Sequence, residues 1–196
     1  MDSIYADKMP ALEENLQDML GRINSIREQL NDEYGMDPIE HLLSRIKSEE
    51  SMREKCIREG LPLNEHSALA VIHDAIGIRI VCAFLNDIYI IRDHIASFKD
   101  IEIIREKDYI RNAKPNGYRS YHMIVKTASG FFIELQLRTI SMDTWAALEH
   151  HIRYKKVIDT NSSLIADELK RCADELASTD ISMQSIRNLI MESMQK

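Results

Sequence analysis

The stretch FFIELQLRT, Phe131 to Thr139, alternates without a break: Phe132, Glu134, Gln136 and Arg138 share one face, and Ile133, Leu135 and Leu137 the other. A period of two predicts a strand with one face on a core and a polar face left open. On a lone strand of an antiparallel sheet such a polar set is simply solvated. Upstream, HDAIGIRIVCAF, His73 to Phe84, sets Asp74 and Gly77 ahead of a strongly apolar strand that carries Arg79 inside it. An isolated charge there is costly unless it is paired or belongs to a site. Adjacent strands would let Asp74 and Glu134 meet.

Between these strands lies KDYIRNAKPNGYRSYH, Lys107 to His122, a basic and tyrosine-rich segment in a chain of formal charge −7. Pro115, Asn116 and Gly117 are turn formers, and the alternation from Tyr118 through His122 to Val125 predicts a strand with Tyr118 at its start. Lys107, Lys114 and Arg119 flank an aromatic ring able to stack on a flat base, and their charges suit phosphate oxygens, so a nucleotide polyphosphate fits. Taken alone, the segment also fits a solvated basic loop. Two carboxylates beside such a groove suit Mg²⁺, which takes one or two carboxylates together with phosphate oxygens and water.

SRIKSEESMREKCIREG, Ser44 to Gly60, predicts a strand through Arg45 and a helix opening near Ser48. That helix would present Ser51, Lys55 and Arg58 on one side, as a mixed-charge surface helix also would. ISMDTWAALEHHIRYKK predicts a helix with an apolar stripe through Met142, Trp145, Leu148 and Ile152, with Trp145 in the core and Ser141 or Asp143 at its start. Adjacent His150 and His151 do not face one another on a helix, which argues against a dinuclear metal site. Both ends carry heptad stripes. Leu12, Leu16, Met19, Ile23, Ile26 and Leu30 follow Pro10 and stop before Gly35; Ile165, Leu169, Cys172 and Leu176 precede Met183, Ile186 and Ile190 beyond a break near Thr179 and Asp180. Such stripes pack within one subunit or between subunits.

With 196 residues and 44% hydrophobic side chains, the chain suits one globular domain with helical extensions. No apolar run approaches a membrane span, and the N-terminus lacks the regions of a signal peptide, which predicts a cytoplasmic protein. Cys56, Cys82 and Cys172 are widely spaced and read as reduced thiols. The acidic balance argues against duplex DNA as the main partner.

Taken together, SRIKSEESMREKCIREG, DAIGIRI, EKDYIRNAKPNGYRSYH, IELQLRT and DTWAALEHHIRYK resemble the successive motifs of the RelA/SpoT-type alarmone synthetase domain, over roughly residues 38 to 156 and in the family's order. The short chain resembles the small, single-domain members, especially the tetrameric RelQ type. The resemblance implies an α+β, nucleotidyltransferase-like fold: a mixed, mostly antiparallel sheet of about five strands with flanking helices and long terminal helices. It implies transfer of the β,γ-pyrophosphoryl group of ATP to the 3′-hydroxyl of GTP or GDP.

By the same resemblance, Arg45, Lys47, Ser51, Lys55, Arg58 and Arg79 would bind ATP. Asp74 and Glu134 would be catalytic and hold Mg²⁺, with Glu134 helping to take the proton from the hydroxyl. Lys107, Lys114, Asn116, Tyr118, His122 and Gln136 would serve the guanine nucleotide, with Tyr118 stacking on the base. Arg138 resembles a residue that supports the sheet side, and Glu149 one that orients others. Residues 1–37 would form an oligomerisation helix, 38–156 the catalytic domain and 157–196 helices for assembly, giving a homotetramer. Two other readings share these residues: a toxic relative acting on adenine nucleotides or tRNA 3′ ends, and a non-catalytic regulator of a partner or of single-stranded RNA. Arg27 matches the RelQ type's allosteric pppGpp site, but Asn24, His41 and Leu43 depart from it, so the resemblance does not carry that activation here.

Overall fold

The computed structural model describes residues 3–154 and 162–194. Helix α1 (Met9–Tyr34) opens with Pro in its first turn and closes on Gly35, whose φ of 66° is the left-handed cap that lets its N–H reach the Asn31 carbonyl. Strand β1 (Ile39–Ile46) and helix α2 (Glu49–Arg58) follow, then a single π-helical turn (Ser67–Val71). After these come β2 (Ile76–Cys82), α3 (Leu85–Ala96), β3 (Ile101–Asp108), β4 (Tyr121–Thr127), β5 (Phe132–Thr139), α4 (Ile140–Tyr154) and α5 (Ser162–Met194).

The five strands form one sheet in the order β1-β2-β5-β4-β3. The central pair β2 and β5 is parallel, and every other pairing is antiparallel. This is the mixed, mostly antiparallel sheet that the alternation and the resemblance imply. Ile133, Leu135 and Leu137 are fully buried on the covered face, in one core with Ile78, Ile80, Met123, Val125 and the α1 stripe from Leu12 to Leu30. That stripe is therefore used up inside the subunit.

Helix α5 departs from expectation in being continuous through Thr179 and Asp180. Polar side chains there bond back along the helix instead of breaking it, Thr179 to the Glu175 carbonyl and Ser182 to the Ser178 carbonyl. Asp180 instead accepts from the Thr139 hydroxyl at 2.6 Å. The helix is tied to α3 through polar anchors: Arg187 pairs with buried Asp87 of α3 and stacks on Phe84, and Gln184 accepts the Asn86 N–H. Met183, Ile186 and Ile190 stay exposed. The expected boundary between residues 156 and 157 lies outside the described residues.

In α4, Met142 and Trp145 are buried as expected, whereas Leu148 and Ile152 are exposed, so the stripe seats only its first half. The helix is opened by Thr139, whose hydroxyl accepts the Met142 N–H, and not by Ser141 or Asp143. The hairpin between β4 and β5 turns at Ser129-Gly130, with Gly130 at φ 92° and its N–H on the Thr127 carbonyl. All three cysteines are free thiols, Cys56 and Cys82 buried.

Candidate active site

Register fixes the open face of the sheet. Reading across the strands, one row runs Arg45, Gly77, Glu134, Ile124, Arg105, and the next runs Leu43, Arg79, Gln136, His122, Lys107. Side chains in a cross-strand row share a face, so the alternation of each separate strand converges on one surface with cations at both edges and Glu134 in the middle. Gly77 adds no side chain between Arg45 and Glu134, and the floor of the sheet is open there.

On one side of Glu134, a cleft of about 240 Å³ is lined by Arg45, Asp74, Gly77, Arg79, Glu134 and Gln136, among others. Asp74 stands in the loop that enters β2. Its Oδ2 accepts from Lys55 at 2.8 Å and lies 3.2 Å from the Lys47 ammonium. Its Oδ1 is buried without a hydrogen-bond partner. The Lys47 backbone is held from both directions, its N–H on the Ala75 carbonyl and its carbonyl accepting from the hydroxyl of buried Tyr5. Ser51 and Arg58 share the Lys55 side of α2 but are exposed and outside this cleft; Ser51 is bonded to the helix-capping Ser48.

On the other side, Arg105, Lys107, Tyr109, Lys114, His122 and Ile124 line a second cleft of about 100 Å³, and Glu134 lines this one too. Burial pushes the Glu134 carboxyl upward, but His122, the Gln136 amide and the Lys55 charge outweigh it and hold the group below the usual glutamate range. The His122 ring lies 3.7 Å from the carboxylate, and the Gln136 amide donates to it at 3.1 Å. Gln136, expected with the acceptor residues, thus lines the first cleft. In the sheet it stands between Arg79 of β2 and His122 of β4, at the seam of the two clefts.

Tyr118 does not start a strand; β4 begins at Tyr121. Its carbonyl accepts the Lys114 N–H, which closes the turn and removes it from the sheet ladder. The Tyr118 hydroxyl accepts from Arg138 at 2.8 Å and lies 2.8 Å from His122 Nε2. The other ring nitrogen of His122, Nδ1, faces Glu134, so the imidazole bridges the Tyr118 hydroxyl and the carboxylate. Lys114 sits over the rings of Tyr109 and Tyr118, and the Arg138 guanidinium lies 5.2 Å from the Tyr118 centroid.

The turn rests on the two last helices. Asn116 donates to Glu149 of α4 at 3.4 Å and accepts the Tyr118 N–H. Gly117, at φ 91°, lies so close to α5 that a Cβ there would come within 2.6 Å of Ala173. Arg119, expected to face phosphate, is instead committed to Asp174 and the Ala173 carbonyl. Arg27 is likewise committed, in a forked pair with Asp37.

Four contributors escaped the sequence reading. Tyr5 carries no local signal, and Tyr109 has only its place in the tyrosine-rich segment Lys107 to His122. Arg105 shares a strand face with Lys107 by alternation, which was the available clue. Asp143 looked like a helix opener, yet its Oδ1 lies 3.0 Å from an Arg138 nitrogen and 3.2 Å from an Arg79 nitrogen.

A mixed sheet whose open face carries two cation-lined clefts meeting at one carboxylate is the site of a group-transfer protein with two anionic substrates. Comparison with known proteins gives the particular kind. Residues 44–159 match the model of the region found in RelA / SpoT proteins, and the chain belongs to that family. It is 39% identical to GTP pyrophosphokinase YwaC of Bacillus subtilis over 85% of this chain and 82% of that protein. With GTP pyrophosphokinase YjbM of the same organism the identity is 32%, over 90% and 85%. The crystal structure of small alarmone synthetase 1 from Bacillus subtilis bound to its product pppGpp superposes with a TM-score of 0.79 at 30% identity, covering 93% of this chain and 95% of that one. Among the described residues, no helix is long and apolar enough to cross a membrane.

Proposed function

We propose that this chain is a GTP pyrophosphokinase that moves the β,γ-pyrophosphoryl group of ATP onto the 3′-hydroxyl of GTP or GDP, releasing AMP and forming pppGpp or ppGpp. The observation that carries this reading is the place of Glu134, which lines both clefts. A group between two substrates is where a transfer must occur. The first cleft takes ATP. Arg45 and Arg79 offer planar cations for the purine, Lys47 and Lys55 at Asp74 supply charge for the phosphates, and Ser51 and Arg58, on α2 outside the cleft, would meet only phosphate groups that extend beyond it. The second cleft takes the guanine nucleotide, with Lys107, Lys114, Asn116 and His122 around the phosphates and base and Tyr118 as the stacking ring.

Asp74 and Glu134 would hold Mg²⁺: the partnerless buried Oδ1 of Asp74 and a second carboxylate in the same cleft are the hard oxygen donors that this ion prefers. When bound, the ion neutralises phosphate charge and makes the hydroxyl more acidic. Glu134, ionised by its surroundings, accepts the proton of the 3′-hydroxyl as the 3′-oxygen bonds to the β-phosphorus and the bond from β-phosphorus to the α,β-bridging oxygen breaks. His122 and Gln136 keep the carboxylate oriented. Catalysis by positioning and charge is what phosphoryl-type transfer asks of a protein.

The exposed Met183, Ile186 and Ile190 of α5 supply the surface for assembly, giving a homotetramer in the cytoplasm. The α1 stripe is buried within its own subunit and does not serve this purpose. Light scattering should return four times the 22.7 kDa chain; a monomer at micromolar concentration contradicts it. The activity is tested by incubating purified protein with ATP, Mg²⁺ and GTP or GDP and separating products by anion exchange. AMP with a 3′-pyrophosphorylated guanine nucleotide is expected, and its absence with both acceptors would sink the reading.

A further inference from the structure

Two guanidiniums from opposite halves of the site converge on one carboxylate oxygen. Asp143 Oδ1 lies 3.2 Å from Arg79, which lines the donor cleft, and 3.0 Å from Arg138, which braces Tyr118. Arg138 is committed elsewhere as well: one of its nitrogens donates to the Tyr118 hydroxyl at 2.8 Å and to the Gln136 amide oxygen at 3.1 Å. Arg79 is less committed. Its Nε is buried with no hydrogen-bond partner. Burial, followed by the nearby Arg138 charge, makes its cationic form less favourable than usual for arginine.

One oxygen can accept from both donors, but only one guanidinium at a time can hold the carboxylate in a fork. An arginine and a carboxylate pair best in a bidentate fork, which neither Arg79 nor Arg138 obtains while both share Asp143. Two like charges near one another also need that carboxylate between them. A ligand that draws Arg79 into the donor cleft removes one competitor. The whole carboxylate then falls to Arg138, whose guanidinium fixes the Tyr118 ring and hydroxyl.

We propose that Asp143 is a positioning residue that couples the two substrates, so that occupation of the donor cleft by a purine triphosphate firms the acceptor platform at Tyr118, and occupation of the acceptor cleft returns the same favour to the donor. The inference rests on the assignment of the clefts in the proposed function. Coupling of binding sites is reciprocal by thermodynamic necessity, and values of about 5- to 150-fold are usual.

The test is a binding measurement, free of turnover. Wild-type protein is titrated calorimetrically with the α,β-methylene analogue of ATP, in which carbon replaces the bridging oxygen whose bond to the β-phosphorus must break, with and without saturating GDP. The reverse titration follows. The expected result is mutual tightening by about fivefold or more, collapsing to below about twofold in Asp143→Asn while each ligand still binds alone. Asp143→Ser, with the same loss expected, serves if the asparagine variant does not fold. Wild-type coupling below twofold, or coupling unchanged in the variants, overturns the proposal and leaves the cleft assignment standing. Failure of the ATP analogue to bind wild-type protein overturns both.

Discussion

The two halves of the site are built by different means. The half proposed to take the donor is a product of strand pairing: Arg45, Gly77, Arg79 and Glu134 stand in register on β1, β2 and β5, and the Lys47 backbone is locked to Ala75 and to buried Tyr5. In the acceptor half, the ring expected to stack on the base lies on a turn outside the ladder. That turn is placed by Asn116 on Glu149, Gly117 against Ala173 and Arg119 on Asp174. A ladder holds its residues through backbone hydrogen bonds that every member shares, whereas a turn seated on a helix depends on a few side chains. The donor cleft is therefore preorganised by the sheet, and the acceptor platform answers to α4 and α5.

Glu134 belongs to both halves, and its loss should respect no division between them. Glu134→Gln keeps the shape, removes the base and takes one charge from the carboxylate pair; kcat should fall by about a thousandfold or more, with the melting temperature close to wild type. A variant that keeps near-normal turnover would remove the shared carboxylate from the mechanism. Gly77→Val should then split the halves in one direction. A Cβ at Gly77 meets nothing nearer than Arg45 Cγ at 3.9 Å, so the strand accepts the side chain while the cleft floor fills. The Michaelis constant for ATP should rise by about a hundredfold, within the range that steric discrimination in a pocket supplies, and that for GDP should stay put. Equal rises in both would show that the donor cleft is not a separate unit.

Gly117→Ala should split them the other way. At φ 91° and with Ala173 2.6 Å from the new carbon, the turn must shift, at a strain of about 1–3 kcal/mol. Displacement of Tyr118 should raise the Michaelis constant for the guanine nucleotide about tenfold, a modest share of what misplaced binding groups can cost. The constant for ATP should change less than about twofold on the same grounds. Steady-state kinetics with each substrate varied in turn decides it, and a rise confined to ATP would reverse the assignment of the clefts.

The same division explains what could be read from the chain. An apolar run located β2, period-two alternation located β5, and the heptad of α1 marked the residues that close the core, because such patterns report which side chains are buried within their own element. They say nothing of partners more than a few residues away. The turn at Pro115 to Gly117 was legible, but not that Tyr118 leaves the ladder, since that follows from the Lys114 N–H taking its carbonyl. Nor could the sequence show that Gly117 is required by Ala173, far along the chain. Asp143 read as a helix opener because acidic residues commonly sit in a first turn; its real partners are arginines on two different strands. The predicted break in α5 failed because Ser and Thr side chains that can end a helix can also bond back along one.

The smallest expected effect lies at the seam between the halves. His122 is the first of the groups that outweigh burial to hold the Glu134 carboxyl below its usual range. His122→Asn removes that support, and the Glu134 carboxyl should move upward. A base must be ionised to act, so turnover falls as pH drops through the Glu134 pKa. In the variant this acid limb of kcat should move to higher pH, with little change in kcat on the alkaline plateau. Because kcat refers to the saturated enzyme, weaker acceptor binding does not imitate the shift. An acid limb that stays in place, or moves lower, would mean that the histidine serves the acceptor cleft alone and that the carboxylate takes its charge state from the donor side, through Gln136 and Lys55.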